Sequence, residues 1–116
     1  MLILVLATAS ANEIKNIFNL SQMKTLDELE IRTRMQTINE DWVLKGKFIH
    51  RELVFKDFIE AFSFMNKVAF LAEKSNHHPN WKNVYNKVNI ALNTHEADGL
   101  TEKDFNLAQE IDKLLY

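Results

Sequence analysis

The chain has 116 residues, of which 47% are hydrophobic and 26% charged, and a formal net charge of −2. This length and composition predict one globular domain with an apolar core and exclude a disordered chain. Lysine and arginine are dispersed and cysteine is absent, so we expect no direct nucleic-acid surface, no disulfide and no thiolate metal site.

Residues 1–24 are interpreted as an N-terminal arm. The run MLILVLATASANE loosely resembles a signal peptide, but no positive charge precedes its apolar part. It is too short to span a bilayer. We therefore expect an extra strand or arm packed on the domain, no membrane association and a cytoplasmic protein.

The next segments predict helix and then strand. Residues 12–39 have helical spacing of Ile14, Ile17 and Phe18, with a break favoured near 21–25. Residues 41–55 carry two apolar runs on either side of a glycine. They predict two antiparallel strands, or one long kinked strand.

Helix 57–74 is predicted from an Asp57 cap with Glu60 three residues later. It carries two apolar strips, which are Phe58, Phe62, Met65, Ala69 and Ala72 on one side and Ile59, Phe64, Val68 and Leu71 on the other. One strip suffices to cover a sheet, so the second favours an interface with another subunit over complete burial within one chain.

The C-terminal part predicts a strand and a capped helix. Residues 83–95 alternate between apolar and polar side chains, which is typical of a half-buried strand. Thr101 caps a last helix with Asp104 at its third position. Its inner stripe is Phe105, Ala108, Ile111 and Leu115.

The stretch KSNHHPNW at 74–81 places His77 and His78 side by side, just before the single proline. Imidazole titrates near neutrality, so a histidine gives or takes a proton at little cost at physiological pH. Neighbouring side chains of a strand point to opposite faces, so the two rings share a pocket only where the backbone turns. Pro79 favours such a turn after a helix end.

His95 is a third candidate, at the end of the predicted strand. A straight strand over 83–94 would run roughly 40 Å and keep His95 away from the pair. We therefore favour a reversal near 85–87, with a bulge or a site completed by another subunit as alternatives. The predicted order becomes α-β-β-α-β-β-α. This order indicates an α+β two-layer sandwich, an antiparallel four-stranded sheet with helices on one face.

The histidine cluster has two other interpretations. A solvated loop explains the pair without any function. Zinc accepts imidazole ligands, but a structural zinc site takes four protein ligands and no metal-motif spacing occurs here. We therefore expect no metal and no cofactor.

The segment AEKSNHHPNWKNVYNKVNIALNTHEADGLTEKDFNLAQEID resembles the signature of the pterin-4a-carbinolamine dehydratases. The preceding FKDFIEAFSFMNKVA resembles the helix before that signature, and Trp42 resembles the tryptophan that opens the first strands. The likeness covers roughly residues 41–115. The domain that contains this segment is predicted at residues 25–116. It implies removal of water from a 4a-hydroxy-tetrahydropterin to give quinonoid dihydropterin, in tetrahydrobiopterin recycling.

The resemblance also implies roles for individual residues. The catalytic residues would be His77, His78 and His95. The substrate would be contacted by Asn76, Trp81, Asn93, Thr94 and Glu96, with Glu73 and Asp104 as supporting acids. Animal members carry aspartate where this chain has Asn76, so a base at that position is in doubt while hydrogen bonding to the pterin is not.

The resemblance further implies a homodimer or homotetramer formed through helix 57–74. Animal members also serve as dimerisation cofactors of a homeodomain transcription factor. A binding module without essential catalysis, with a transcription-factor partner and a nuclear location, is therefore the alternative function. A zinc hydrolase is the third.

Overall fold

A four-stranded antiparallel sheet forms the frame of the domain. The structure is a computed structural model that describes residues 8–116. In chain order its elements are α1 (Ala11–Gln22), α2 (Glu28–Met35), β1 (Val43–Lys45), β2 (Phe48–Val54), α3 (Phe58–Ser75), β3 (Asn80–Val84), β4 (Lys87–Leu92), a 3-10 turn (His95–Ala97) and α4 (Glu102–Lys113). The strand order is β1-β2-β4-β3, which confirms the predicted α+β class.

The core lies between the sheet and the helices α3 and α4. Alternate residues of β4, Val88, Ile90 and Leu92, are buried, as the period of two requires. On the helical side, α4 buries Phe105, Leu107, Ala108 and Ile111. The predicted inner stripe of the last helix is thus confirmed, with Leu115 packed against the core beyond the helix end.

The predicted reversal near 85–87 is confirmed, because β3 and β4 form a hairpin. Tyr85 adopts a left-handed conformation with φ of 53°, and the side-chain amide of Asn83 donates to the carbonyls of Tyr85 and Lys87 at 3.0 and 2.9 Å. Asn80 faces Ala91 in the register. The residues before β3 and those after β4 therefore emerge at the same end of the sheet.

The N-terminal helix is divided, as predicted, although the break falls at residues 23–27. Leu26 in this break is buried, whereas Leu29 on α2 is exposed. Residues 1–7 of the predicted N-terminal arm lie outside the described residues; in the remainder of the arm, α1 begins at Ala11. Among residues 8–116 no helix is both long and apolar enough to span a bilayer.

The two apolar strips predicted on α3 are distributed differently in the structure. Phe64 and Val68 belong to the second predicted strip, for which an interface with another subunit was expected. In the structure they are buried in the core with Ala61 and Ala72. Spacing alone identifies apolar strips but not which of them meets the sheet, and the ring of Phe64 packs 5.0 Å from that of Phe55. The side chains left exposed are Phe58, Ile59, Phe62 and Phe70, here called the exposed α3 strip. At 100° per residue they span about 120° of the helix.

Phe64 and Phe70 on α3 provide a matched pair that tests this arrangement. Phe64→Ala should lower the free energy of unfolding by about 3–5 kcal/mol, because it leaves a cavity in the core. At a protein concentration low enough to keep the chain monomeric, Phe70→Ala should change it by about 0.5 kcal/mol or less, since the ring is 71% exposed in one chain. Urea unfolding of both variants measures the difference, and equal losses would contradict the assigned helix orientation.

Candidate active site

The C-terminal end of α3 determines where the histidine pair points. Asn76 adopts a left-handed conformation with φ of 49° and ψ of 44°. The N–H of His77 donates to the carbonyl of Ala72 at 3.0 Å, and the N–H of Asn76 donates to that of Glu73 at 3.2 Å. These two bonds form a Schellman motif, in which asparagine tolerates the left-handed position better than most residues. Asn76 therefore has a backbone function that the sequence did not reveal.

The turn directs His77 inwards onto a buried carboxylate. The Nε2 atom of His77 lies 2.6 Å from Oδ1 of Asp104, and the carboxylate is fully buried. The other oxygen, Oδ2, accepts from the hydroxyl of Thr94 at 2.9 Å and from the backbone N–H of Thr101 at 2.9 Å. Asp104 thus caps α4, as predicted, and at the same time holds the histidine.

His78 points in a different direction from His77. Its Nε2 atom lies 2.6 Å from Oε1 of Glu73, and both side chains are exposed by more than half. The chain therefore contains two imidazole–carboxylate pairs in succession, one buried and one in contact with solvent. Sequence reasoning named all four residues but did not predict this pairing.

These contacts determine which ring nitrogens are available for chemistry. An ionised carboxylate has no proton to donate, so a nitrogen 2.6 Å from it carries the hydrogen of the bond. Nε2 of His77 and of His78 is then the protonated nitrogen, and Nδ1 is the one that can accept a proton. A carboxylate in this position also stabilises the imidazolium that forms, as in the serine protease triad.

Residues 93–98 follow β4 and are anchored at several points. The Asn93 amide donates to the carbonyl of Lys47 at 2.6 Å, and Thr94 is buried with its hydroxyl 2.6 Å from that of Thr101. The ammonium group of Lys47 bonds to Asp98 at 2.6 Å and holds the pKa of that carboxyl below its ordinary value. A smaller effect in the same direction comes from the charge of His95.

His95 and Glu96 lie in the 3-10 turn that this segment forms, and both are exposed. Within residues 8–116, neither side chain bonds to His77 or His78. The link between the third histidine and the pair runs through the backbone and Thr94, which shares Asp104 with His77.

Trp81 lies on the edge strand β3, where its register partner is the buried Ile90. It is 37% exposed, so part of the indole remains accessible beside the core.

The structure brings together Thr101 and Lys47 with the predicted site residues. Thr101 was recognised only as a helix cap, and nothing in the sequence pattern pointed to Lys47. In the described part of the chain, no group of three or more histidine, aspartate or glutamate side chains is arranged to hold a metal ion.

Comparison with known proteins identifies the family. The sequence model of the family described as Pterin 4 alpha carbinolamine dehydratase matches residues 24–114. This chain belongs to that family. A Prochlorococcus marinus (strain NATL2A) protein, provisionally assigned as a pterin-4-alpha-carbinolamine dehydratase, is 53% identical over 66% of this chain and 81% of its own length. A Christiangramia forsetii protein with the same provisional assignment is 45% identical over 80% of this chain and 95% of its own.

Two solved structures resemble the dehydratase domain. The crystal structure of a transcriptional coactivator/pterin dehydratase from Brucella melitensis has a TM-score of 0.74 and 38% identity, over 78% of this chain and 98% of that one. A pterin dehydratase-like protein identified as a RuBisCO assembly factor in the alpha-carboxysome has a TM-score of 0.56 and 26% identity, over 64% and 88%. The matched family segment begins at residue 24, after the end of α1.

The tautomers derived above can be observed by NMR of protein labelled with ¹⁵N-histidine. We expect neutral His77 to carry its proton on Nε2, because Asp104 accepts at that nitrogen. In the Asp104→Asn variant, the preference of His77 for a proton on Nε2 should weaken. His50, which has no carboxylate partner in residues 8–116, should keep its spectrum. A His77 protonated on Nδ1 in the unmodified protein would contradict the assignment.

Proposed function

We propose that this chain removes water from a 4a-hydroxy-tetrahydropterin and releases quinonoid dihydropterin. The family membership supports this reaction class. The observation that carries the assignment of catalytic groups is the 2.6 Å contact between Nε2 of His77 and the buried carboxylate of Asp104. It presents an imidazole with a defined tautomer next to a second histidine in the same turn.

The reaction requires two proton movements and no redox change. The C4a–O bond breaks as the hydroxyl receives a proton and leaves as water, and N5 loses its proton. A group that gives a proton and a group that takes one are therefore sufficient, and no metal or cofactor is needed. His77 is buried and His78 is exposed, so their environments differ, which is the usual basis for dividing acid and base functions.

The remaining predicted residues have separate functions in this proposal. His95, Glu96 and Trp81 each expose side-chain surface that a pterin can contact, with the indole offering a flat apolar face. The side-chain N–H of Asn93 donates to the backbone carbonyl of Lys47, and its side-chain oxygen can accept a hydrogen bond from the ligand. Thr94 differs, because its hydroxyl is buried and already engaged by Asp104 and Thr101. We assign it to positioning Asp104 rather than to substrate contact.

The wider setting of the reaction is proposed from the family alone. The product is the quinonoid form that must be reduced again before the pterin serves another hydroxylation. We therefore place the protein in the recycling of a tetrahydropterin cofactor, in the cytoplasm.

Histidine variants test the proposed chemistry. In an assay with enzymatically generated 4a-hydroxy-tetrahydropterin and EDTA, His77→Ala and His78→Ala should each reduce the catalysed rate by about 10²–10⁴. The double variant should lose much less than the product of the two effects, because the groups act on one reaction. The spontaneous dehydration must be subtracted, since it would mask part of the loss.

The matched control for these variants is His50→Ala, which removes a histidine from the central strand β2 and should keep the full rate. Circular dichroism establishes that each variant is folded. If both single variants are folded and keep the normal catalysed rate, the histidine pair has no catalytic function and is only a surface turn. Activity that EDTA removes and zinc restores would favour the zinc hydrolase instead.

The second candidate function is a protein-binding module without essential catalysis. The exposed α3 strip favours it, since four large apolar side chains on one helix face are typical of an interaction surface. The Brucella melitensis relative is described as a transcriptional coactivator as well as a pterin dehydratase, and the carboxysome relative as an assembly factor. We propose that the strip first joins copies of this chain into a dimer or tetramer, and that a transcription factor can be a further partner.

Charging this strip tests the proposed oligomer. Phe62→Asp should shift the mass in light scattering towards the monomer while the chain stays folded, because the ring is 57% exposed. Leu29→Asp on α2, which changes an even more exposed apolar residue outside the strip, is the control and should leave the mass unchanged. A mass equal to that of the unmodified protein in both variants would exclude the strip as the interface.

A further inference from the structure

A cleft on the helical side of the domain reaches His77, the buried member of the histidine pair. It has a volume of about 900 Å³ and is bounded by α1, the C-terminal end of α3 and α4. Asn76 and His77 belong to its lining. This volume is within the range of small-molecule sites, and the position connects the cleft to His77.

The cleft is rich in positive charge. Lys15 on α1, Lys74 on α3 and Lys103 on α4 line it together with a single acidic residue, Glu110. None of the three ammonium groups is paired with a carboxylate in residues 8–116. Glu110 is itself bonded to Lys113 at 3.0 Å, so its charge is offset.

This concentration of charge is local, because the chain as a whole carries a formal net charge of −2. Three helices each contribute one unpaired lysine to the same cleft. Such an arrangement attracts anions and is most effective where a low-dielectric wall lies alongside. Phe18, Leu71 and Leu107 supply that apolar wall.

We infer that the cleft binds the side chain of the pterin, and that this side chain is anionic, with phosphate or carboxylate groups. The inference rests on the proposed dehydratase function, which places the pterin ring at the histidine pair. A neutral side chain would leave three lysines without a partner, whereas a phosphate ester or a glutamate conjugate would pair with them. The class of substrate is thereby narrowed to charged pterins.

The N-terminal helix α1 becomes a specificity element in this arrangement. It lies outside the segment matched by the family, which begins at residue 24, yet it contributes Lys15 to the cleft. The amide of Asn106 on α4 donates to Gln22 at 3.0 Å and fastens the end of α1 over the cleft. Lys74 and Lys103 lie within the matched segment, so the contribution of α1 to the anionic preference is the charge of Lys15.

Three ligands with the same ring test the inference by isothermal titration calorimetry on the full chain. They are 6-hydroxymethyl-7,8-dihydropterin, its phosphate ester and 7,8-dihydrofolate. At low ionic strength the anionic ligands should bind roughly tenfold tighter than the neutral one, and added salt should reduce the difference. If only the phosphate ester binds more tightly than the neutral ligand, the anionic group of the side chain is a phosphate. If only dihydrofolate does so, the anionic groups are carboxylates.

Lysine variants connect the preference to the cleft. Lys15→Gln, Lys74→Gln and Lys103→Gln should each lower the affinity for the preferred anion by about twofold, since the three share the roughly tenfold preference. Lys67→Gln, an exposed lysine on α3 outside the lining, is the matched control and should keep the full preference. A preference that survives all three changes, or that Lys67→Gln reduces equally, overturns the inference.

The result also separates this inference from the function on which it rests. Equal affinity for all three ligands in the unmodified protein overturns the anionic side chain, while turnover of a neutral 4a-hydroxy-tetrahydropterin would still support the dehydratase. Absence of binding by all three ligands, together with absence of turnover, would refute both.

Discussion

The buried carboxylate of Asp104 is the interaction on which the site depends. Removing a charge from water is costly unless the charge is paired and hydrogen-bonded, and here three donors surround it, from His77, Thr94 and Thr101. These donors belong to the end of α3, the end of β4 and the start of α4. One carboxylate therefore joins three segments of the chain and orients the imidazole that we propose as catalytic at their junction.

A second buried polar cluster holds the other end of α4. Asp112 accepts from the indole N–H of Trp42 at 2.8 Å and from Arg51 at 2.5 Å. The helix is thus fixed to the sheet side at both ends by aspartates. Because α4 cannot slide without breaking charged hydrogen bonds, the position of Asp104 relative to the sheet is defined, and so is that of His77.

The separation of the paired histidines has a chemical consequence. Had both rings entered one pocket, they would have experienced similar surroundings and competed for the same carboxylate. The left-handed Asn76 instead places His77 in the interior and His78 at the surface, each with its own acid. Two imidazoles of different exposure in one turn can serve as acid and base.

The sequence by itself determined the order of the elements, the caps of α3 and α4, the strand reversal and the membership of the histidines in one signature, because these depend on local spacing and side-chain chemistry. It did not reveal that Asn76 forms a left-handed cap or that Asp104 faces His77. The orientation of α3 could not be predicted from the sequence, because both apolar strips satisfy the same helical period. Only packing against Phe55 and the sheet selects Phe64 for the core. Sites shared by residues distant in sequence, such as the cleft lined by Lys15 and Lys103, arise when the helices pack, and only the tertiary structure decided them.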